Sequence, residues 1–202
     1  RSGPKIERMK IAAANTDLKK GKKHLISYVG VIGQQEGIDH LLEVIDILIN
    51  QYKYTDFHCI ICGGGPALDS MITLSKKMNV NSFVEFTNRI SDNQLLEILN
   101  TADICVNPDV WNEMNDKSTM NKIMEYMSLK KPIVQYDLVE GRFSAEESSL
   151  YAHPNDRIDF AIEAEDEAGC VCAGDKSAEE QGNRAEGNSA GAAEAAEAPV
   201  RG

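Results

Sequence analysis

The chain has 202 residues, 42% of them hydrophobic, and its 32 acidic against 21 basic residues give a net charge of −11. This length allows one domain with an appendage, or two small domains. The acidic balance argues against general nucleic-acid binding, which needs a basic face to neutralise phosphates. No apolar run approaches the ~18 residues expected of a transmembrane helix.

Composition divides the chain into three parts. Residues 1–23 contain a Gly-Pro step and a lysine cluster, and we interpret them as a linker or hinge lead-in; lysine contact with anionic lipid is the alternative. Residues 163–202 are rich in Ala, Glu and Gly, with almost no large apolar side chain, which predicts a disordered acidic tail. A single domain is therefore predicted over residues 24–162.

Within that domain the apolar pattern alternates between strands and helices. Strands are predicted at residues 24–30, 57–62, 83–87, 103–106 and 132–136. Helices are predicted at 37–51, at 66–78, after a capping box at 91–94, at 118–130, and in a short piece at 156–162. This alternation predicts an α/β fold with a Rossmann-like, doubly wound parallel sheet, in which ligands bind beyond the carboxyl ends of the strands.

Five cysteines stand at positions 59, 62, 105, 170 and 172. Cys59 and Cys62 have the spacing of a zinc or redox pair, but they lie in a predicted strand, where residues three apart point to opposite faces. We interpret them as small buried hydrophobes in a reducing cytosol, and we predict neither a metal site nor a cofactor.

Two glycine-rich turns follow the first two predicted strands. Gly30, Gly33 and Gly37 punctuate the first turn, and Gly63, Gly64 and Gly65 form the second. Glycines allow a backbone to approach a phosphate closely, although a tight strand-to-helix connection explains the same residues. The spacing differs from the dinucleotide motif, and the second strand ends without an acidic residue, which disfavours a nicotinamide enzyme.

The polar loop at residues 107–117 leads into another predicted helix. Ser118 is predicted to be its N-cap, and the hydroxyls of Ser118 and Thr119, with the free N–H groups of a helix start, suit an anion. Asn121 and Glu125 lie four residues apart on one helix face, with Lys122 beside them. Taken alone, a Glu at this point of a helix is more often an ordinary solvated residue, and only the chemistry of the neighbouring loop favours Glu125 as a site residue.

Five motifs occur in order: YVGVIGQQEGIDHLL, CGGGPALDSM, VEFTNRISDNQLLEIL, ADICVNP and NKIMEYMSLKKPIV. Together they resemble the carboxy-terminal, donor-binding half of a GT-B-fold glycosyltransferase of family 4. Two stretches, VGVIGQQEG and NDKSTMNKIMEYM, are similar to a bacterial subgroup linked to surface-polysaccharide synthesis. The resemblance covers about residues 1–160; residues 1–4 resemble the hinge between the two halves, and the acceptor-binding half is expected to lie outside this chain.

The resemblance assigns roles to specific residues. It implies that Glu125, the second Glu of the family's paired-Glu motif, binds the donor ribose, and that Ser118, Thr119 and Met120 present backbone N–H groups to sugar and phosphate. It also implies that Arg89 and Ile90 lie under the nucleobase. Gly30 and Gly33 would face the diphosphate. Asn121 joins the predicted donor site, and Glu125 and Lys122 are the predicted catalytic residues.

Some positions depart from the family pattern. Lys117 replaces the first Glu of the motif, and the usual diphosphate Arg and Lys fall at Val31 and Glu36. Lys122, Lys117 or Arg142 could supply the missing positive charge.

The expected function is that of a retaining glycosyltransferase of hexosyltransferase type, with this fragment alone inactive. The expected partners are a nucleotide sugar and a glycan or lipid-linked acceptor, in the cytoplasm, with at most peripheral contact at the inner membrane face. The alternatives are a non-catalytic nucleotide-sugar-binding module and another GT-B-like enzyme, such as a sugar-nucleotide epimerase.

Overall fold

The computed structural model describes residues 8–172, and side chains through residue 169. Six parallel strands form one sheet in the order β3-β2-β1-β4-β5-β6. The strands are β1 (His24–Val29), β2 (Phe57–Cys62), β3 (Val84–Asn88), β4 (Ile104–Asn107), β5 (Ile133–Tyr136) and β6 (Leu150–Ala152). The helices are α1 (Ile38–Asn50), α2 (Leu68–Lys77), α3 (Asp92–Thr101), α4 (Glu113–Asp116), α5 (Asn121–Ser128), α6 (Val139–Ala145) and α7 (Arg157–Cys172).

Helices cover both faces of the sheet, as is usual for parallel sheets. On one face α1, α2 and α7 pack over Ile26 and Tyr28 of β1. On the other face α3 and α5 pack over Leu25 of the same strand. The Rossmann-like α/β fold class is therefore confirmed. No helix in the described part of the chain has both the length and the apolar character needed to cross a bilayer.

The five predicted strands and the capping box are present, with bounds shifted by a residue or two. The Ser91 side chain accepts a hydrogen bond from the Gln94 backbone, and the Gln94 side chain bonds back to the Ser91 backbone. Pro66 lies in the turn before α2 instead of opening it. The short elements α4, α6 and β6 were not predicted, because three to seven residues are too few to show a period.

The predicted boundary at residue 162 is wrong, since α7 continues to Cys172. Its buried face consists of Phe160, Ala161, Ala164 and Ala168, which pack on the sheet and α1. Alanine at helical spacing permits close helix packing but gives a weak apolar signal, so the sequence suggested a tail here. The rest of the predicted disordered tail, residues 173–202, lies outside the described residues.

Residues 8–23 pack on the domain instead of standing apart as a linker. Met9 and Leu18 join the apolar cluster under α3, and the Ala12 amide donates to the Asn100 side chain at 2.9 Å. Three amino groups of the lysine cluster are engaged: Lys19 with Asp103, Lys20 with Glu85, and Lys22 with the Thr55 carbonyl. These contacts do not favour the lipid alternative. The hinge prediction, at residues 1–4, falls outside the described residues.

The cysteines of β2 face opposite sides of the sheet. Cys59 belongs to the apolar cluster under α1 and Cys62 to the cluster under α3, and both thiols are buried and free. Burial raises the pKa of Cys62 to about 11, which keeps it protonated at neutral pH. Their interpretation as buried hydrophobes is confirmed, whereas the side chains of Cys170 and Cys172 lie outside the described part.

The glycine-rich turn after β2 is held against the turn after β1. A Cβ at Gly63 would lie 1.8 Å from the Gly30 carbonyl oxygen, and one at Gly65 would lie 2.4 Å from that of Ile32. The Gly30 amide donates to Cys62 O, and the Ile32 amide to Gly64 O. Gly63 and Gly65 therefore allow close contact between the backbones of the two turns.

We expect Gly63→Ala to destabilise the domain by at least about 2 kcal/mol, because the residue has a φ of +139° and no room for a Cβ. Gly169→Ala is the matched control: it lies inside α7, where a Cβ meets nothing within 4 Å, and we expect a gain of up to about 1 kcal/mol. Urea unfolding followed by circular dichroism measures both, and equal effects would contradict this account.

Candidate functional site

A cavity of about 570 Å³ opens at the carboxyl ends of β1, β2, β3 and β4. The neighbours β1 and β4 mark the point where strand order reverses, which is where doubly wound sheets bind ligands. The lining residues are Val29, Gly30, Val31, Glu36, Cys62, Gly63, Gly64, Asn88, Arg89, Ile90, Leu95, Asp109, Asn115, Met120, Asn121, Lys122 and Glu125.

The loops around the cavity are tied together by hydrogen bonds. The Gly63 amide donates to Asn88 O, which joins the turns after β2 and β3. The Asn115 side chain donates to the carbonyls of Gln35 and Val110, which joins the loops after β1 and β4. Gly37 permits this approach, since a Cβ there would lie 1.9 Å from the Pro108 carbonyl oxygen. The cavity is therefore largely preformed.

Glu125 lies in the second turn of α5 with its carboxylate at the cavity. The side chain is partly buried, and it accepts no hydrogen bond from the described residues. Burial raises the pKa of Glu125, and the charge of Arg8 opposes that shift. A desolvated carboxylate without a hydrogen-bond donor is suited to accept hydrogen bonds from ligand hydroxyls.

Lys122 forms a buried ion pair with Asp109, the second residue after β4. Lys122 Nζ lies 2.7 Å from Asp109 Oδ1 and 4.7 Å from the centre of the Tyr28 ring. The two charged side chains are only 9% and 1% exposed. Burial raises the pKa of Asp109, against the opposing charge of Lys122. The pair fixes one ammonium group in the wall of the cavity.

Two further groups of donors face the cavity. Met120 is the N-cap of α5 and its side chain makes no capping hydrogen bond, so the first-turn amides of Asn121 and Lys122 have no partner within the helix. Arg89 is exposed, and its guanidinium makes no ion pair with the described residues. Beside it, Ile90 and Leu95 supply an apolar wall. Together these groups can hold an anion next to a flat apolar ring.

Four of the predicted site residues do not line this cavity. The predicted N-cap at Ser118 is wrong, because α5 begins at Asn121 and the Ser118 hydroxyl donates to the carbonyl of Met114 within α4. Thr119 donates to Glu140, and Lys117 pairs with Glu113 four residues earlier. Gly33 lies in an adjoining cavity. The helix α4, which the sequence did not predict, explains the positions of Lys117 and Ser118, because both bond to residues of that helix.

Two of the positions that depart from the family pattern, Val31 and Glu36, lie at the cavity, whereas Lys117 does not. Val31 is 57% exposed at its edge, and the Glu36 carboxylate folds back over Gly33, where a Cβ would lie 2.5 Å from Oε2. Arg142 is not a lining residue: it forms a two-pronged ion pair with Asp137. Among the described residues, the lining therefore contains two cations, Arg89 and Lys122, against three carboxylates.

Sequence reasoning missed Asp109 and Asn88. Asp109 is a buried acidic residue just after β4. The sequence could have indicated it, because an acidic residue two positions beyond a buried strand, where the strand order of the sheet reverses, is a candidate site residue. Asn88 has a φ of +58° and its side chain lies against Gly64, so it shapes the turn beneath Arg89. No pattern in the sequence predicted that Asn88 would adopt the left-handed backbone conformation at the end of its strand.

A family model described as "Glycosyl transferases group 1" matches residues 23–179. This chain belongs to that family. The match includes the whole sheet and every residue of the cavity described above. A comparison with curated proteins gives no significant match.

Solved glycosyltransferases share the fold. WaaG, a glycosyltransferase involved in lipopolysaccharide biosynthesis, aligns with a TM-score of 0.63 at 15% identity over 76% of this chain and 40% of its own. Anabaena HepE, solved with UDP and glucose, aligns with a TM-score of 0.65 at 13% identity, over 85% of this chain and 49% of its own. The C-terminal domain of Francisella tularensis LpcC aligns with a TM-score of 0.63 at 16% identity, over 81% of this chain and 86% of its own. The chain thus spans less than half of WaaG and HepE, and most of an isolated C-terminal domain.

Proposed function

We propose that this chain is the donor-binding domain of a retaining family 4 glycosyltransferase, of hexosyltransferase type, from the bacterial surface-polysaccharide subgroup. Its donor is a nucleotide-diphosphate sugar and its acceptor a glycan or a lipid-linked saccharide. The reaction takes place in the cytoplasm, with peripheral contact at the inner membrane face where the acceptor is lipid-linked. The fold shared with HepE, which was solved with UDP and glucose, supports this reading.

The observation that carries the proposal is the order of groups along α5. Free amides lie at its start, the Lys122 ammonium follows, and the Glu125 carboxylate without a hydrogen-bond partner comes one turn later. A nucleoside diphosphate presents complementary groups, because the phosphates are anionic and the ribose hydroxyls donate hydrogen bonds. The apolar wall at Ile90 and Leu95 suits the base.

In the proposed reaction, this domain stabilises the diphosphate leaving group. Negative charge grows on the diphosphate as its bond to the sugar breaks, and fixed donors in a partly dry cavity stabilise that charge. Lys122 is suited to this because Asp109 holds its ammonium in place before the ligand arrives. We assign Glu125 to the ribose and Lys122 to the diphosphate; Arg89, Ile90, Met120, Asn121 and Gly30 complete the donor site. No cofactor or metal enters this scheme.

We expect the chain to bind a nucleoside diphosphate and to transfer no sugar by itself, because transfer needs an acceptor held against the donor carbon. Isothermal titration calorimetry with UDP, GDP and the corresponding nucleosides tests binding, and the nucleosides should bind more weakly for lack of phosphate. A donor-turnover assay tests transfer. Absence of binding for every diphosphate would refute the proposed function, and rapid sugar transfer would refute the expected inactivity.

A non-catalytic nucleotide-sugar-binding module remains the second candidate. Glu36 favours it, since a carboxylate at the diphosphate end of the cavity opposes the charge that grows in the transition state. Joining the chain to an acceptor-binding half from a relative distinguishes the two. An enzyme should then release free nucleoside diphosphate from the sugar donor, whereas a module should only bind.

A further inference from the structure

A row of buried polar side chains leads from the cavity into the sheet. Asn107 ends β4 and Gln135 lies in β5, and the two residues are neighbours in the strand register. They are buried on the face of the sheet where Cys105 and Ile133, two residues earlier in each strand, belong to the apolar cluster under α3 and α5. Burial of two amides where apolar side chains would pack lowers stability unless their hydrogen bonds are made.

These side chains form one chain of hydrogen bonds that ends at Lys122. Gln135 Nε2 donates to the hydroxyl of Ser149, just before β6, at 3.0 Å, and Asn107 Nδ2 donates to Gln135 Oε1 at 3.4 Å. The Asn107 side chain also hydrogen-bonds to the Asp109 carboxylate. Asp109 in turn accepts from Lys122 Nζ at 2.7 Å, so the chain connects the start of β6 with the ammonium in the cavity wall.

The direction of this chain is set at Ser149. Its hydroxyl has a single proton, and two backbone carbonyls are its acceptors, at 3.1 and 3.2 Å. Ser149 therefore accepts from Gln135, which turns its amide nitrogen to Ser149 and its oxygen to Asn107. The oxygen of Asn107 accepts nothing from the described residues, so its N–H₂ group serves both Gln135 and the carboxylate. The chain thus delivers a hydrogen-bond donor to Asp109.

The inner part of the chain is closed off from the ligand. Asn107, Gln135 and Ser149 do not belong to the lining of the cavity, whereas Asp109 and Lys122 do. The helix α6 covers Gln135, because a Cβ at its Gly141 would lie 2.8 Å from Gln135 Oε1. Any effect of the inner side chains on a ligand therefore passes through Asp109.

The donor from Asn107 limits what Asp109 takes from Lys122. An ammonium has three N–H groups. One bonds to Asp109 and a second faces the Tyr28 hydroxyl at 3.5 Å, which leaves a third for a phosphate. Without Asn107, the buried carboxylate would draw a further N–H from Lys122, because a buried charge needs more than one hydrogen bond. The ammonium would then turn away from the cavity.

We infer that Asn107 and Gln135 are positioning residues for Lys122, which keep its ammonium available to the diphosphate of the donor without touching the ligand. The inference deepens the proposed function and rests on it, because it takes the ligand to carry a diphosphate. Asp109 transmits the effect, since it bonds to Asn107 on one side and to Lys122 on the other.

Asn107→Leu removes the donor and keeps a side chain of similar size. We expect the affinity for UDP to fall about tenfold relative to that for uridine, and likewise for GDP against guanosine, because only the diphosphates meet Lys122. Calorimetry measures the diphosphates and NMR titration the weaker nucleosides. Gln135→Met, one bond further from Asp109, should lower the same ratio by a smaller factor, and it carries the test if Asn107→Leu fails to fold.

Asn100→Leu is the matched control. Asn100 is also buried, and its side chain donates to the carbonyls of Lys10 and Leu96, but it does not belong to the lining or to this chain of hydrogen bonds. It should lower stability and leave the ratio of diphosphate to nucleoside affinity unchanged. A ratio that stays the same or rises in Asn107→Leu, or that falls equally in Asn100→Leu, would overturn the inference.

A change of background shows whether the effect passes through Lys122. In the double variant Lys122→Met with Asp109→Asn, adding Asn107→Leu should leave the affinity for UDP unchanged, because the ammonium that Asn107 positions is gone. An equal loss in this background and in the parent would contradict the inference.

A measurement without ligand separates the inference from the proposed function. Burial raises the pKa of Asp109, Lys122 from α5 and the hydrogen bond from Asn107 lower it, and Glu36 from the loop after β1 raises it. Tyr28 of β1 stays neutral, since burial raises its pKa. Asn107→Leu should therefore move the NMR titration of the Asp109 carboxyl carbon to higher pH, and the control variant should not. An unmoved titration would overturn the inference alone, whereas a parent that binds no nucleoside diphosphate would refute the proposed function.

Discussion

Glu125→Ala is expected to weaken binding of a nucleoside diphosphate by about 1–3 kcal/mol, because the ribose hydroxyls lose their charged acceptor. Glu125→Gln retains the shape and one acceptor oxygen, so it should lose less. Calorimetry with UDP, GDP and their 2′-deoxy forms measures both. The parent should prefer the ribonucleotide, and Glu125→Ala should not.

Glu113→Ala is the matched control, since that carboxylate is 87% exposed and, among the described residues, pairs with Lys117 alone. If Glu125→Ala binds ribonucleotides as well as the parent does, Glu125 is not the ribose anchor. If Lys122→Ala causes the severe loss and Glu125→Ala a mild one, the site depends on phosphate capture instead.

Protonation provides a second readout for Glu125. Burial raises its pKa in the folded state, so the charged form carries a penalty that the unfolded chain does not. Glu125→Gln should therefore stabilise the free protein at neutral pH, and this gain should vanish as the pH falls below the ordinary pKa of a glutamate. Nucleotide affinity of the parent should fall as the pH drops through the raised pKa. Glu125→Gln should lack this fall and keep only the change that protonation of the nucleotide's terminal phosphate causes in both proteins.

Lys122→Met is expected to destabilise the fold by about 3–5 kcal/mol at neutral pH, because it leaves the carboxylate of Asp109 buried without its counter-charge. Urea unfolding measures this loss. The pKa of Asp109, already raised by burial, should rise further without Lys122, so the loss should shrink as the pH falls and the carboxyl takes a proton.

Two comparisons test the cause of that loss. The double variant Lys122→Met with Asp109→Asn should recover most of the stability, since it removes the stranded charge. Lys117→Met removes an exposed pair with Glu113 and should cost no more than about 0.5 kcal/mol. Equal losses for Lys122→Met and Lys117→Met would contradict a buried, coupled pair.

Local patterns in the sequence were sufficient for most of the fold. Short, mostly apolar runs predicted β1 to β5, and the helical spacing of Ile38, Leu41, Leu42 and Ile45 predicted α1. The capping box predicted the start of α3. Each of these signals lies within a few consecutive residues, where backbone geometry and burial act directly on side-chain type. Strand–helix alternation then implied parallel strands and a site at their carboxyl ends.

Only the tertiary structure decided which side chains meet. Lys122 and Asp109 belong to different elements, and their pairing depends on the packing of α5 beside β4. The four-residue helix α4 moved the start of α5 to Asn121 and left Ser118 outside the cavity. The alanine face of α7 is part of the core because α1 packs against it, and this contact is visible only in the tertiary structure. Long-range packing brings these groups together, and no short sequence period encodes it. The sequence therefore indicated where the cavity would lie and that Glu125 belongs to it, but not that Asp109 would line it.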